Sequence, residues 1–382
     1  MALAFGLVGL DRYILFPLFP VIAEDLGLDY ADLGLISGSL ALTWGLASIF
    51  SGNLADRIGA RRVIVVSIIT FSTLVAFTGL ATGLVSLLAL RALMGFAEGG
   101  FAPAGIVQTI QVSKPSRVGL NFGLQQMAAP LFGLGLGPII AVSLLSVLPS
   151  WEWVFGVIAL PGFIVALVIA RTVQPSTGES SAGSPRAQVS LTAPLKYSNV
   201  LLGSCALISI FVAMNTLSTF GPNYLTDHIG LSLSQMGAVM SSLGAGGLLG
   251  MITLPALSDR IGRKFVMVGS LVALVAALSL LMTAEAGTPL PMLAAIFFTV
   301  SASSSGSIAT LVGPVISGSV PTPIAATATG IVVGLGEIFG GAVAPAITGF
   351  LLEAQGIQFI SVIMISGGIV GLLIVLFGIK EP

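Results

Sequence analysis

Stretches of about 20 or more mostly apolar residues recur along the whole chain, separated by short segments that hold Gly, Pro and nearly all of the charge. That length matches the hydrocarbon thickness of a bilayer, and in lipid every backbone polar group must be paired inside its own segment or a closed barrel. Runs such as Val63 to Leu80 do not alternate. They therefore exclude the ten-residue alternating strands of an outer-membrane barrel. Charged residues make up 8% of the chain, against about 25% in a soluble domain. So few charges cannot cover the polar faces that a soluble bundle needs. The chain reads as an all-α polytopic membrane protein with spans near 1–23, 31–53, 62–82, 85–110, 118–147, 152–171, 199–225, 234–254, 264–284, 290–313, 326–352 and 357–378.

The 14 Lys and Arg residues orient these spans. Arg57, Arg61 and Arg62 fall between spans 2 and 3, Lys114 and Arg117 between 4 and 5, and Arg171, Arg186 and Lys196 at the middle connection. Arg260, Arg263 and Lys264 fall between spans 8 and 9, and Lys380 follows span 12. All of these lie on one side, which the positive-inside rule makes cytoplasmic together with both termini. The opposite side receives Glu24, Asp25, Asp29, Asp32, Glu152, Asp227, Glu285 and Glu353. The N-terminus has no basic region or cleavage site of a signal peptide. Met1 runs almost directly into a span, which leaves room for an earlier natural start.

Thr172 to Ser198 is the longest break, rich in Ser, Gly and Pro, and reads as a flexible cytoplasmic linker between residues 1–171 and 199–382. The two parts repeat one design. Gly52-Asn-Leu-Ala-Asp56-Arg57-Ile-Gly59-Ala-Arg61-Arg62 follows span 2, and Pro255-Ala-Leu-Ser-Asp259-Arg260-Ile-Gly262-Arg263-Lys264 follows span 8, displaced by 203 residues.

On these residues the chain resembles the major facilitator superfamily, whose loop signature is Gly-x-Leu-x-Asp-Arg-x-Gly-Arg-Lys. The resemblance covers essentially the whole chain. It implies twelve helices in two pseudo-symmetric six-helix halves around a midplane site. It also implies a conformational latch at Gly52, Asp56, Arg57 and Arg61, echoed by Asp259 and Arg260. Asp56 would hold the halves together on the cytoplasmic side when the cavity opens outward. Pro255 in place of the first Gly weakens the second copy, so Asp56 is the stronger candidate.

Ionisable side chains at bilayer depth are costly and are functional candidates by default. Five qualify: Asp11 and Arg12 in span 1, Arg91 and Glu98 in span 4, and Glu337 in span 11. Asp11 lies about midway along its span, and Glu98 is roughly 20 Å into span 4. Arg91 and Glu98 share a helix face about two turns apart. The bland alternative is a buried ion-pair network that fixes helix packing.

Arg91-Ala-Leu-Met-Gly95-Phe-Ala-Glu98-Gly99-Gly-Phe-Ala-Pro103 resembles the Arg-x-x-x-Gly-x-x-Glu-Gly-x-x-x-Pro of the superfamily's organic-anion branch. Asp11-Arg12 resembles the Asp-Arg of its bacterial sugar-acid and carboxylate symporters. The resemblance implies that Arg12 binds a substrate carboxylate and that Asp11 and Glu98 carry protons. The chemistry suits those roles, because guanidinium grips a carboxylate bidentately and a carboxyl group responds to how dry its surroundings are.

The 203-residue offset pairs Arg12 with Asn215 and Glu98 with Ser301. The second half thus offers Asn215, Ser301, Ser303, Ser304 and Ser305 where the first offers charges. It reads as the half that meets the neutral part of the substrate, with close packing through small residues as the alternative for the serines. Gln125, Gln126 and Trp44 could line the same cavity, with packing as the alternative for a Trp this deep. His228 is expected in an outer loop near Asp227. Cys205 lies inside a span and excludes a disulfide framework within the chain.

The reading is a secondary active transporter without enzymatic chemistry: proton-coupled uptake of a small organic anion by alternating access in a bacterial inner membrane. It needs no cofactor beyond a proton gradient, no metal and no nucleic acid, and it works as a monomer. Gly133-Leu-Gly135-Leu-Gly137-Pro138 in span 5 partly resembles the Gly-Pro signature of proton-coupled drug exporters, and Glu337 is unexplained by the organic-anion pattern. Export of a drug or metabolite is therefore the rival reading. A sensor lacks a recognisable extra domain, and a transporting ATPase would need a Gly-x-x-x-x-Gly-Lys-Ser/Thr loop.

Overall fold

A computed structural model describes residues 1–114, 117–173 and 193–381, with backbone alone at 49–58, 107, 110, 111, 118–120, 322, 323 and 326. Among the described residues there are no strands, and eleven helical segments are long and apolar enough to cross a membrane. They are span 1 (Ala2–Leu26), span 3 (Ala60–Thr78), span 4 (Leu84–Ile106), span 5 (Asn121–Val147), span 6 (Trp151–Thr172), span 7 (Ser198–His228), span 8 (Leu233–Ile261), span 9 (Arg263–Leu281), span 10 (Leu290–Gly318), span 11 (Thr327–Gln355) and span 12 (Ile357–Gly378). Span 2 is the 29-residue helix Tyr30–Ile58. The chain divides into two compact units, Met1–Pro185 and Arg186–Pro382. Of the sequence-expected linker, residues 174–192 lie outside the described residues, and Ala193–Lys196 forms a single 3-10 turn ahead of span 7.

Three sequence expectations need correction. Span 1 is not one helix ending near residue 23. It breaks at Ile14 into Ala2–Tyr13 and Leu15–Leu26, because the Pro17 ring cannot sit against the Tyr13 carbonyl of a straight helix. Its last turn carries Glu24 and Asp25, and Asp25 Oδ2 accepts the Trp151 indole N–H at 3.0 Å.

Second, the repeated charged segment is not a loop. Spans 2 and 8 run through Asp56-Arg57-Ile58 and Asp259-Arg260-Ile261 and are joined to the next span by one glycine. Gly59 and Gly262 have φ of +89° and +98°, a backbone that L side chains rarely adopt. Asp56 occupies the C-terminal turn of span 2.

Third, His228 is not in an exposed loop. It closes the last, π-helical turn of span 7, with its ring 5.1 Å from that of Tyr224.

Within each unit, glycine lets backbones touch. A Cβ at Gly95 or Gly99 of span 4 would run into the Leu40 or Trp44 carbonyl of span 2. In the second unit a Cβ at Gly246 or Gly250 of span 8 would strike the backbone of Phe298 or Ala302 in span 10. Phe298 and Ala302 stand 203 residues after Gly95 and Gly99, so the repeat places the same helix crossing in both units. Only the side carrying the small residue has switched. Spans 1 and 5 cross in the same manner, Gly9 against Ala129 and Gly133 against the Gly9 carbonyl. Large apolar residues such as Leu80, Phe350 and Phe377 face outward, where lipid rather than water is their natural solvent.

Candidate functional site

The first unit gathers Asp11 and Arg12 from span 1 with Arg91 and Glu98 from span 4. The carboxyls of Asp11 and Glu98 and the guanidinium of Arg91 act on one another electrostatically, and Arg12 acts on Glu98. Asp11, Arg91 and Glu98 are all buried, Glu98 completely. The two glycines of the span 4 motif help set the placement, since Gly95 and Gly99, the residue after Glu98, bring span 4 against the span 2 backbone at Leu40 and Trp44.

The bonding is not that of an ion-pair network. Arg91 Nη1 donates to the backbone carbonyl of Asp11 at 2.9 Å, with a longer contact of 3.8 Å to the Met94 sulfur. Arg91 Nε and Nη2 have no hydrogen-bond partner among the described residues, nor does either oxygen of Glu98. Nε and Nη2 are the parallel donors of one guanidinium edge, the edge that fits a carboxylate. Buried charged groups are costly unless something pairs with them. Gln125 of span 5 is also fully buried with both amide atoms unpartnered among the described residues, as is Gln126 Oε1.

Arg12 is half-buried, with its guanidinium carbon 5.9 Å from the ring centres of both Tyr13 and Trp44. Trp44, which the sequence left between cavity lining and packing, thus lies next to the Arg12 charge. Tyr13 escaped the sequence reading, although its position directly after Asp11-Arg12 was the available signal.

The second unit corrects the serine set. Ser301, the counterpart of Glu98, donates its hydroxyl to the Leu243 carbonyl of span 8 at 2.6 Å, and with Ser305 it packs against Gly247. Both serve the helix crossing, and Ser301 has no donor left for a substrate. Ser304 is different: fully buried, its hydroxyl has no partner among the described residues. Thr216 of span 7 shares that state and was missed by the sequence reading, which stopped at its neighbour Asn215. Ser303 is buried. Asn215 Nδ2 donates to the Gly340 carbonyl at 3.1 Å, inside the π-helical stretch Gly336–Val343 that interrupts span 11 and carries Glu337. Irregular turns of this kind free main-chain groups and recur at functional positions.

At the basic end of the first unit, the side chains of Gly52, Asp56 and Arg57 lie outside the described residues. Arg61 donates to the Ala170 carbonyl of span 6. In the second unit Asp259 and Arg260 are exposed, and the junction is held instead by Arg263 Nη1 donating to the Pro314 carbonyl at 2.8 Å and by Glu381 accepting from Lys264 N at 3.2 Å. Among the described residues no group of His, Cys, Asp or Glu has metal-ligand geometry.

Two repeated six-helix units, the first holding buried charges at mid-helix, have the build of a multi-pass membrane transporter. The sequence profile of the Major Facilitator Superfamily matches residues 1–338 and 202–382, and the chain belongs to that family. It is 28% identical over 263 residues to a hexuronate transporter of Bacillus subtilis, a match that spans 67% of this chain and 62% of that protein. It is 25% identical over 375 residues to a quinolone resistance transporter of Acinetobacter baumannii, spanning 90% of this chain and 85% of that protein. A crystal structure of a bacterial homolog of the human lysosomal transporter Spinster superposes over all of this chain and 97% of its own with a TM-score of 0.77 at 18% identity, which shows the shared fold.

Proposed function

We propose that the protein takes up a small organic anion together with protons, by alternating access, as a monomer in a bacterial inner membrane with both termini in the cytoplasm. The observation that carries this reading is that Arg91 and Glu98, both buried, keep one guanidinium edge and one carboxyl without partners among the described residues, with Arg12 acting on Glu98. Charge balance explains coupling. With both acids ionised, the two arginines and two carboxylates sum to zero, so a carboxylate arriving alone would leave an excess negative charge in a poorly solvated place. A proton on Asp11 or Glu98 removes that excess. Substrate and proton therefore load together.

In this reading Arg12 and Arg91 of the first unit hold the carboxylate, and Gln125 of the same unit meets its neutral part. Ser301 keeps its packing role. Asp11 and Glu98 carry the protons, Glu337 is an auxiliary acid, and Asp56 is the conformational latch. The hexuronate transporter among the relatives supports a sugar acid as the substrate class.

Reconstituting Glu98→Gln tests the reading, with glucuronate as probe. Gradient-driven uptake should vanish while counterflow between preloaded vesicles and medium persists, because the amide resembles the protonated acid. Full gradient-driven uptake by the variant excludes Glu98 as a proton carrier, and joint loss of folding and counterflow returns the cluster to a structural role. Export is the second reading, favoured by the quinolone resistance relative and by the Gly133-x-Gly135-x-Gly137-Pro138 string. Thermal stabilisation by cationic drugs and by none of a carboxylate panel would select it.

A further inference from the structure

At the basic end of the second unit, Asn199, the second residue of span 7, is buried with its whole side-chain amide engaged. Its Nδ2 donates to the Lys380 carbonyl at 2.8 Å and to Ser319 Oγ at 2.7 Å, and its Oδ1 accepts the Lys380 N–H at 3.0 Å. The amide therefore grips the main chain after span 12 at both its donor and its acceptor. Ile379, the preceding residue, is buried, and its N–H is bonded to the Ile374 carbonyl. One residue beyond the grip, Glu381 Oε1 accepts the Lys264 N–H at 3.2 Å. Lys264 is the second residue of span 9, where main-chain N–H groups have no intrahelical acceptor. The residue at the cap position is Gly262, which has no side chain to offer one. Glu381 offers it from 117 residues away, and a carboxylate also suits the positive end of the helix dipole.

We infer that residues 379–381 are a strap that fastens the start of span 7 to the junction between spans 8 and 9, so that the two respond as one body when the unit moves. The cap depends on the grip. Ordering the backbone of a free residue costs about as much as one hydrogen bond returns. Glu381 alone would therefore hold Lys264 weakly. With Lys380 already fixed by Asn199, its covalent neighbour arrives at Lys264 with little left to order. The junction is a place where such a tie has effect, because a single glycine at φ +98° joins the two spans and glycine is the most freely turning of residues. A Cβ at Gly262 would lie 3.0 Å from Glu381 Oε1, so the carboxyl is seated directly against that glycine. On the other side of the grip, Ser319 donates its hydroxyl to the Val315 carbonyl at 2.6 Å, and Arg263 Nη1 donates to the Pro314 carbonyl at 2.8 Å. The end of span 10 is thereby tied to both ends of the strap.

Hydrogen–deuterium exchange of the full chain in lipid nanodiscs, read at single amides by electron-transfer fragmentation, tests the strap. The Lys380 and Lys264 amides should both exchange slowly in the native protein. E381A should speed Lys264 about ten- to a hundred-fold, the worth of one hydrogen bond to a charged acceptor, and leave Lys380 within about threefold. N199A should speed both amides, although the bonds it removes are to Lys380 and Ser319. The Leu274 amide, in the middle of span 9, should keep its native rate in both variants, which a general loss of stability would not allow. Should N199A fail to fold, N199S, too short to reach both Lys380 groups, gives the same reading. Faster Lys380 exchange in the residue 199 variant with Lys264 unchanged overturns the strap. So does native Lys264 exchange as fast as that of E381A, or Leu274 speeding together with Lys264.

Discussion

Arg91 Nη1 donates to the main-chain carbonyl of Asp11 at 2.9 Å, so the buried cation of span 4 is moored to the backbone of span 1 and not to a carboxylate. That carbonyl sits in the last turn of the Ala2–Tyr13 segment, where carbonyls lack intrahelical donors. The break at Ile14 and the Arg91 anchor are therefore parts of one arrangement. It leaves the Nε and Nη2 edge of Arg91 without a hydrogen-bond partner among the described residues.

Arg91→Lys should fold but lose most carboxylate binding, since an ammonium cannot moor to the Asp11 carbonyl and present a two-donor edge together. Arg91→Met should cost about 3–5 kcal/mol of stability, because it leaves buried carboxyls uncompensated. Thermal unfolding in detergent and glucuronate binding check both. Native-like binding by Arg91→Lys would contradict the open-edge role.

Arg12→Ala should abolish anion binding and Arg12→Lys should rescue it poorly, because a point charge does not reproduce the guanidinium fork. Equilibrium binding of glucuronate decides. Survival with little loss would transfer the anchor role to Arg91 alone or promote the export reading.

Gly95→Leu and Gly99→Leu each push a side chain into the span 2 backbone, and overpacking of this kind costs typically about 1–3 kcal/mol, more against main chain. Gly262→Ala should cost about 1–2 kcal/mol through its positive φ alone. Lower melting temperatures with retained expression are the expected result. Unchanged melting of both span 4 variants would mean that spans 2 and 4 do not cross there.

Orientation is checked by cysteines placed at Ser180 and at Glu285. Cys205 is exposed and is first replaced by Ser. Impermeant reagents should label position 180 only from the cytoplasmic face and position 285 only from outside. In the same background Asp56→Asn should shift accessibility toward the inward-open state if Asp56 latches the outward-open one. Labelling of position 180 from outside would refute the topology, and unchanged accessibility would count against the latch.

The second unit shows where reasoning by repeat reached its limit. The 203-residue offset read from Asp56 and Asp259 proved accurate inside the membrane, since it maps Gly95 and Gly99 onto the residues that contact span 8. It could not tell that Ser301 spends its hydroxyl on Leu243 while Ser304 does not. Ser301 and Ser304 are one turn apart on the same helix, and what each meets is decided by the neighbouring span rather than by the local sequence.

What the sequence determined by itself was whatever hydropathy and local chemistry impose: apolar segments long enough for a bilayer, the doubled Asp-Arg-Ile-Gly junction with its glycine, and charges too costly at that depth to be accidental. Tertiary structure decided the rest. Which donors of Arg91 are used, that Glu98 faces no bonded partner among the described residues, and that Trp44 and Tyr13 flank Arg12 all depend on how spans 1, 2, 4 and 5 cross. Crossing geometry is set by close contacts between residues far apart in the chain, such as Gly99 with Trp44 and Gly133 with Gly9, and no local pattern records those distances.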